Sequence, residues 1–162
     1  ADMAGGDYPV IRIMPNTPAA IGQGVVQVCG RGASRAQLDA CKAILAPAGL
    51  VDEIDEKLID AASCVSGCGP AFAYLFMEAL ADGGVACGLP REQALRYAAQ
   101  MVAGSAEMVL QSGRHPGQLK DAVCSPGGTT IQGVRALEAN GFRSAAMEAV
   151  LAAYEKTLKL GK

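Results

Sequence analysis

Near residue 56 the hydrophobic pattern of this chain changes period, and it does not change back. Before that point, short apolar runs alternate with turn residues. After it, apolar residues recur at three and four spacing to the C-terminal end. The switch confines any strands to the first third and makes the rest a set of packed helices. Within the first third, Val10-Ile11-Arg12-Ile13-Met14 reads as a strand that stops at Pro15, and Pro15-Asn16-Thr17-Pro18 as a rigid polar turn. Gly24 to Cys29 is a second strand. Ser34 begins a helix, with Gln37 placed to complete a capping box. Leu38, Cys41, Ile44 and Leu45 form its apolar face, and Gly49 ends it. Leu50 to Ile54 is a third strand. Three strands and one helix make half of an α/β layer, and they read as the tail of a larger sheet whose start lies outside this chain.

The helical part opens with a short helix from Glu56 to Val65. Ser66-Gly67-Cys68-Gly69-Pro70 breaks it, and a long helix follows from Ala71 to Val85 with Phe72, Leu75, Phe76, Ala79 and Leu80 on one side. Pro90 opens the next helix, which runs to about Gln111 through Leu95, Ala99, Val102, Ala106 and Val109. Met101 and Met108 add an apolar opposite side, so this helix is either central or covered by another subunit. His115-Pro116 starts a short helix. A glycine-rich loop and a helix through Val134 and Leu137 follow. Ser144 opens the last helix, whose stripe is Met147, Val150, Leu151, Tyr154 and Leu158.

Composition narrows the function. The 162 residues carry a formal charge of -2 and form no basic stripe, which argues against nucleic acid or an anionic membrane as partner. No uninterrupted run of 18 apolar residues appears, so no membrane span is expected. Ala1 to Pro9 lacks the basic-then-apolar order of a secretory leader. Cys29, Cys41, Cys64, Cys68, Cys87 and Cys124 stand mostly among small or apolar residues and read as free thiols of a cytoplasmic protein. Aromatic residues are only 4% of the chain, so alanine, valine and leucine must supply most helix contacts.

Catalytic equipment is sparse. His115 is the only histidine, which excludes a triad or a histidine metal cluster within one chain, and no metal site is expected. Asp52, Glu53, Asp55, Glu56 and Asp60 read as a solvated acidic face. Neither GxGxxG nor GxxxxGK[ST] is present. The informative stretch is Cys124-Ser125-Pro126-Gly127-Gly128-Thr129-Thr130-Ile131. It brings two glycines and three hydroxyls to the start of a helix, where free backbone N–H groups bind small anions. One threonine can cap the helix and leave the other hydroxyl to a ligand. Such a loop orients a ligand but carries neither a strong base nor a nucleophile.

DAVCSPGGTTIQGVRALEANGFR, at 121–143, resembles the signature of pyrroline-5-carboxylate reductases. RIMPNTP at 12–18, SGCGPAF at 66–72, EALADGGVACGLPREQA at 78–94 and HPGQLKD at 115–121 agree with it in order. The family usually has SGSGP where this chain has Cys68. The resemblance implies a mainly α fold, with residues 1–56 the end of a Rossmann nucleotide-binding domain and residues 57–162 a helical dimerisation and substrate-binding domain. It implies hydride transfer from NADPH or NADH to the C=N bond of 1-pyrroline-5-carboxylate, giving L-proline. Ser125, Gly127, Gly128 and Thr129 would hold the substrate carboxylate. Thr130 would meet the ring nitrogen as the catalytic residue, orienting the imine or relaying a proton. Pro15 and Asn16 would face the nicotinamide–ribose end of the cofactor, most of which the preceding residues would bind. It also implies an obligate homodimer, assembled in many members into decamers, and a chain that is inactive alone. The alternative is a non-catalytic helical oligomerisation module whose loop binds small carboxylates.

Overall fold

A computed structural model describes residues 8–160. The opening stretch read above as lacking a secretory leader lies, through Asp7, outside the described residues. Three strands form one sheet in the order β1 (Val10–Met14), β2 (Gly24–Arg31) and β3 (Gly49–Glu53). β1 pairs antiparallel with β2, and β2 pairs parallel with β3 through the crossover helix α1 (Arg35–Leu45). Seven α-helices account for most of the remainder: α1, then α2 (Ile59–Ser66), α3 (Gly69–Ala86), α4 (Arg91–Ser112), α5 (Pro116–Ala122), α6 (Thr129–Ala139) and α7 (Phe142–Leu160). This is the mainly helical fold with a small leading sheet that the change of period predicts.

The chain forms two compact units, one running up to Ala71 and rejoined from Glu148 onward, the other spanning Phe72–Met147. In the first, Val26 and Val28 point to one face of β2 and are fully buried, with Leu38 of α1 against Gly30. Gln27 and Cys29 point to the other face, toward residues 56–66. Ile59 and Cys64 complete this core. The capping box of α1 forms in both directions: the Ser34 hydroxyl accepts from the Gln37 N–H, and the Gln37 side chain accepts from the Ser34 N–H. Gly49 does not end α1 as expected. Pro47 sits in a 3-10 turn over Ala46–Ala48, and Gly49 becomes the first residue of β3 at a φ of 130°. It pairs with Gly24, whose own backbone is pressed against Ala19, so three backbone segments converge there.

In the second unit α3 and α4 approach through small residues. Ala81, Ala94 and Ala98 are its buried apolar positions, and a Cβ on Gly84 would lie 3.2 Å from that of Ala94. Phe76 stacks on Phe142 at 5.5 Å between ring centres. The face of α4 is therefore one step away from the expected stripe. Ala94 and Ala98 turn inward, while Leu95, Tyr97, Met101, Met108 and Leu110 are exposed. Alanine wins the inner line because only a small side chain admits so close a neighbour. The last helix shows the same shift. It begins at Phe142 rather than Ser144, and Met147, Leu151 and Leu158 of its expected stripe are exposed.

The helical stretch Glu56–Ala86 is long and apolar enough, by length and composition alone, to cross a membrane, with a mean hydropathy of 1.3 over an 18-residue window. Alanine, cysteine and glycine raise that mean without making an unbroken apolar run. Only 11% of that window is buried within a single chain, and Leu75 is 67% exposed.

Gly49→Ala tests the convergence of backbones. The added Cβ would lie 2.2 Å from the Gly24 carbonyl oxygen, at a φ that L-residues avoid. Denaturant unfolding should show a loss of more than about 2 kcal/mol; an unchanged midpoint would mean that the two strands part easily.

Candidate functional site

The glycine-rich loop is built as a tight turn followed by a helix start. Pro126 and Gly127 are its central residues, Gly127 has a φ of 69°, and the Gly128 N–H donates to the Ser125 carbonyl at 3.0 Å. Proline at the first central position and a positive φ at the second are the signature of a type II turn. The two glycines have different reasons. Gly127 supplies the left-handed conformation. At Gly128 a Cβ would strike the Ser125 Oγ at 2.4 Å.

Neither threonine caps α6. The N-cap is Gly128, which has no side chain to offer, and no side-chain hydrogen bond closes the helix start. Thr129 and Thr130 are the first two helical residues, and both are exposed. This corrects the expectation that one of them would cap. The consequence strengthens the anion reading: first-turn N–H groups lack both an intrahelical and a side-chain acceptor, Thr129 and Thr130 bring two hydroxyls to the helix start, and Ser125 lies in the turn just before it. By contrast α5 is capped fully, since His115 Nδ1 accepts from the Gly117 N–H at 3.0 Å. The lone histidine is thereby a helix cap.

Pro15 and Asn16 lie in the other unit, on the loop after β1. Asn16 is half-buried and its amide is fixed at both ends. Its Oδ1 accepts from the Val25 N–H at 2.9 Å, and its Nδ2 donates to the Ser66 carbonyl at 2.9 Å. One Nδ2 hydrogen is left over. Asn16, Met14, Pro15, Thr17 and Cys68 line a cavity of about 530 Å³, within the size range of small-ligand clefts. Cys68, the departure from the family's usual serine, faces this space.

Gln27, which no sequence pattern singled out, ties β2 to the end of α2. Gln27 Nε2 donates to the Ser66 Oγ at 2.7 Å. Arg12 forks onto Glu56 at 2.7 Å and Asp60 at 2.8 Å, and Cys29 donates its thiol to the other Glu56 oxygen. Glu56 and Asp60, four apart, occupy one side of a helical turn, so part of the acidic run is a clasp for Arg12 rather than a solvated face alone. The clasp is wet: Glu56 is 60% exposed. Burial pushes the Cys29 thiol up to about 11, and its hydrogen bond to Glu56 adds to that. The same bond, followed by Arg12, holds the Glu56 carboxyl below its ordinary range. Among the described residues no group of three histidine, cysteine or acidic side chains can hold a metal ion.

Comparison with known proteins adds one family. The family model for pyrroline-5-carboxylate reductase dimerisation matches residues 56–160. The pyrroline-5-carboxylate reductase of Synechocystis is 51% identical over 157 residues, which are 96% of this chain and 59% of the relative. That of Escherichia coli is 47% identical over 159 residues, again 59% of its length. Among solved structures, Plasmodium falciparum pyrroline carboxylate reductase with NADP bound superposes with a TM-score of 0.92 at 40% identity, covering 99% of this chain and 65% of that one. The chain therefore spans about three fifths of the length of the curated relatives, 59% in both cases named.

The thiols give a direct check. With its pKa raised from 9.0 to about 11, Cys29 is a neutral thiol at pH 8 and should resist iodoacetamide, while the exposed Cys87 alkylates. Because the folded form binds this proton more tightly, its contribution to stability holds below pH 9.0 and is lost as pH climbs through about 11. Rapid alkylation of Cys29 in native protein, read by peptide mass spectrometry, would contradict the burial.

Proposed function

Because this chain belongs to the pyrroline-5-carboxylate reductase family, we propose that it forms the substrate-binding and dimerising part of such a reductase. The reaction is addition of a hydride from NADPH or NADH to the C=N carbon of 1-pyrroline-5-carboxylate, with a proton taken up at the ring nitrogen, giving L-proline. The observation that carries the reading is the start of α6, which no side chain caps and whose first two residues, Thr129 and Thr130, are exposed. A carboxylate is the ligand such a turn suits, since it accepts several N–H and O–H bonds at once.

Each residue has a part. Ser125, Gly127, Gly128 and Thr129 receive the substrate carboxylate. The Thr130 hydroxyl, one residue further into the helix, hydrogen-bonds the ring nitrogen and orients the imine or passes it a proton. Its own pKa makes it a poor acid, so position is its main contribution. When bound, the nicotinamide supplies the hydride. Met14 and Pro15 offer an apolar wall and Asn16 and Thr17 polar groups at the cavity of the first unit, a mixture that fits a nicotinamide–ribose. Residues 1–56 are read as the end of the nucleotide-binding domain and residues 57–162 as the helical domain. The six cysteines are free in the structure, which suits a reducing, cytoplasmic setting.

The exposed leucines, methionines and tyrosines of α3, α4 and α7 are assigned to a second copy of this chain, and further assembly to decamers follows the family pattern. A membrane is the competing cover for Glu56–Ala86. The dimerisation model spans this segment from residue 56 onward and favours the second copy. Light scattering should give at least a dimer without detergent; a monomer at high concentration would defeat this part of the reading.

Activity is tested in a chimera that places the N-terminal part of the Synechocystis relative ahead of this chain. It should reduce pyrroline-5-carboxylate with NADPH or NADH, whereas this chain alone should not. Thr130→Ala should lower kcat about a hundredfold, and unchanged turnover would remove Thr130 from the reaction. A chimera that folds and binds proline but never turns over would favour the alternative, a carboxylate-binding oligomerisation module.

A further inference from the structure

Three hydrogen bonds meet at Ser66, the last residue of α2. Its carbonyl accepts from Asn16 Nδ2 at 2.9 Å, its hydroxyl accepts from Gln27 Nε2 at 2.7 Å, and the same hydroxyl donates to the Ala62 carbonyl at 3.0 Å. Gln27 is only 4% exposed, and its Oε1 has no partner. A buried acceptor left unpaired destabilises the folded state. An apolar residue of similar length would fill the same space on β2 without that cost. Glutamine at this position is therefore poorly explained by packing, and what it uniquely supplies is the Nε2 donor.

That donor acts on the one residue that orients the Asn16 amide from the helix side. Val25 N–H and Ser66 carbonyl together fix which end of the amide is oxygen and which is nitrogen. The Val25 contact comes from the strand that also carries Gln27, two residues on. So β2 holds Asn16 twice, directly through Val25 and indirectly through Gln27 and Ser66. If Ser66 drifts, Asn16 keeps its acceptor contact and loses its donor contact, and its remaining Nδ2 hydrogen no longer has a fixed direction toward the cavity.

We propose that Gln27 is a positioning residue: through the Ser66 hydroxyl it sets the pose of the Asn16 amide on the loop that faces the nicotinamide end of the cofactor. The proposal rests on the reading of Asn16 given above. It predicts a separation of function from stability, because removing Gln27 also removes an unpaired buried oxygen.

The test uses the chimera described above. Gln27→Met should raise KM for the nicotinamide cofactor about fivefold, the equivalent of one neutral hydrogen bond, with kcat changed less than about twofold. Its Tm should stay level or rise. Ser66→Ala should reproduce the KM effect, and Ser66→Thr, which keeps the hydroxyl, should restore it. A second readout is independent of turnover. In ¹⁵N spectra the two Asn16 side-chain amide protons should be distinct and slowly exchanging, and should broaden in Gln27→Met. Unchanged KM, or a fall in Tm that accompanies equal losses in kcat and kcat/KM, would overturn the proposal. If the parent chimera shows no reductase activity, the reductase reading fails by itself. The Asn16 amide signals then decide the positioning role: broadening supports it, and an unaltered pair in Gln27→Met overturns it.

Discussion

The helices of this chain bury alanines and leave leucines, methionines and tyrosines in water. Ala81, Ala94 and Ala98 are the buried apolar residues of the second unit, while Leu75, Tyr74, Leu95, Tyr97 and Met101 are exposed. Fully burying one large apolar side chain is worth about 1.5–3 kcal/mol, and these five are each about half exposed, so together they forgo several kcal/mol, a large part of the net stability of a typical domain. Small inner residues and large outer ones are what a helix needs when it must approach one neighbour closely and present a second apolar face to another surface. The family's dimerisation model covers these same helices. The loop from Ser125 to Thr130 lies between α5 and α6 in this same region.

Local signals were readable because their causes are local. The capping box at Ser34 and Gln37 needs only three residues of spacing, and it forms in full. β1 occupies Val10–Met14, ending where Pro15 removes a donor. The lone histidine before Pro116 becomes a cap for the same short-range reason. What could not be read is what depends on a distant neighbour. Hydrophobic periodicity placed the apolar face of α4 on Leu95, yet closeness to α3 turned Ala94 and Ala98 inward. Thr129 and Thr130 looked like caps by residue type, but the turn set by Pro126 and Gly127 ends one residue earlier and leaves Gly128 in the cap position. Gln27 and Ser66 are 39 positions apart, and no local pattern linked Gln27 to the motif that begins at Ser66.

That last pair shows how the sheet serves the candidate site. β2 is buried on both faces, and one face is ordinary: Val26 and Val28 against α1. The other carries Gln27 and Cys29, both polarisable or polar, both engaged with the segment that leads into the helical part. Two adjacent inward positions thus exchange hydrophobic burial for directed contacts, one to Ser66 and one to Glu56. Directed contacts fix register and orientation in a way that packing of valine on alanine does not. The interaction with Glu56 is reinforced by Arg12, but it is largely exposed and adds little to stability. The interaction with Ser66 is shielded and leaves an oxygen unpaired, so its energetic account is unfavourable unless orientation of Asn16 has value.

The α6 start follows the same logic from the opposite side. A helix that begins at a glycine N-cap forgoes a few tenths of a kcal/mol relative to a serine or aspartate cap, and its first N–H groups are left without a side-chain acceptor. A Cβ at Gly128 would meet the Ser125 hydroxyl at 2.4 Å, so either residue would require that hydroxyl to swing aside. Glycine at this position leaves the helix start open. An aspartate at the cap would occupy the N–H groups with its own carboxylate and repel an incoming one. An uncapped helix that an anionic ligand can cap is less stable when empty and more stable when filled, and the difference contributes directly to affinity for that ligand.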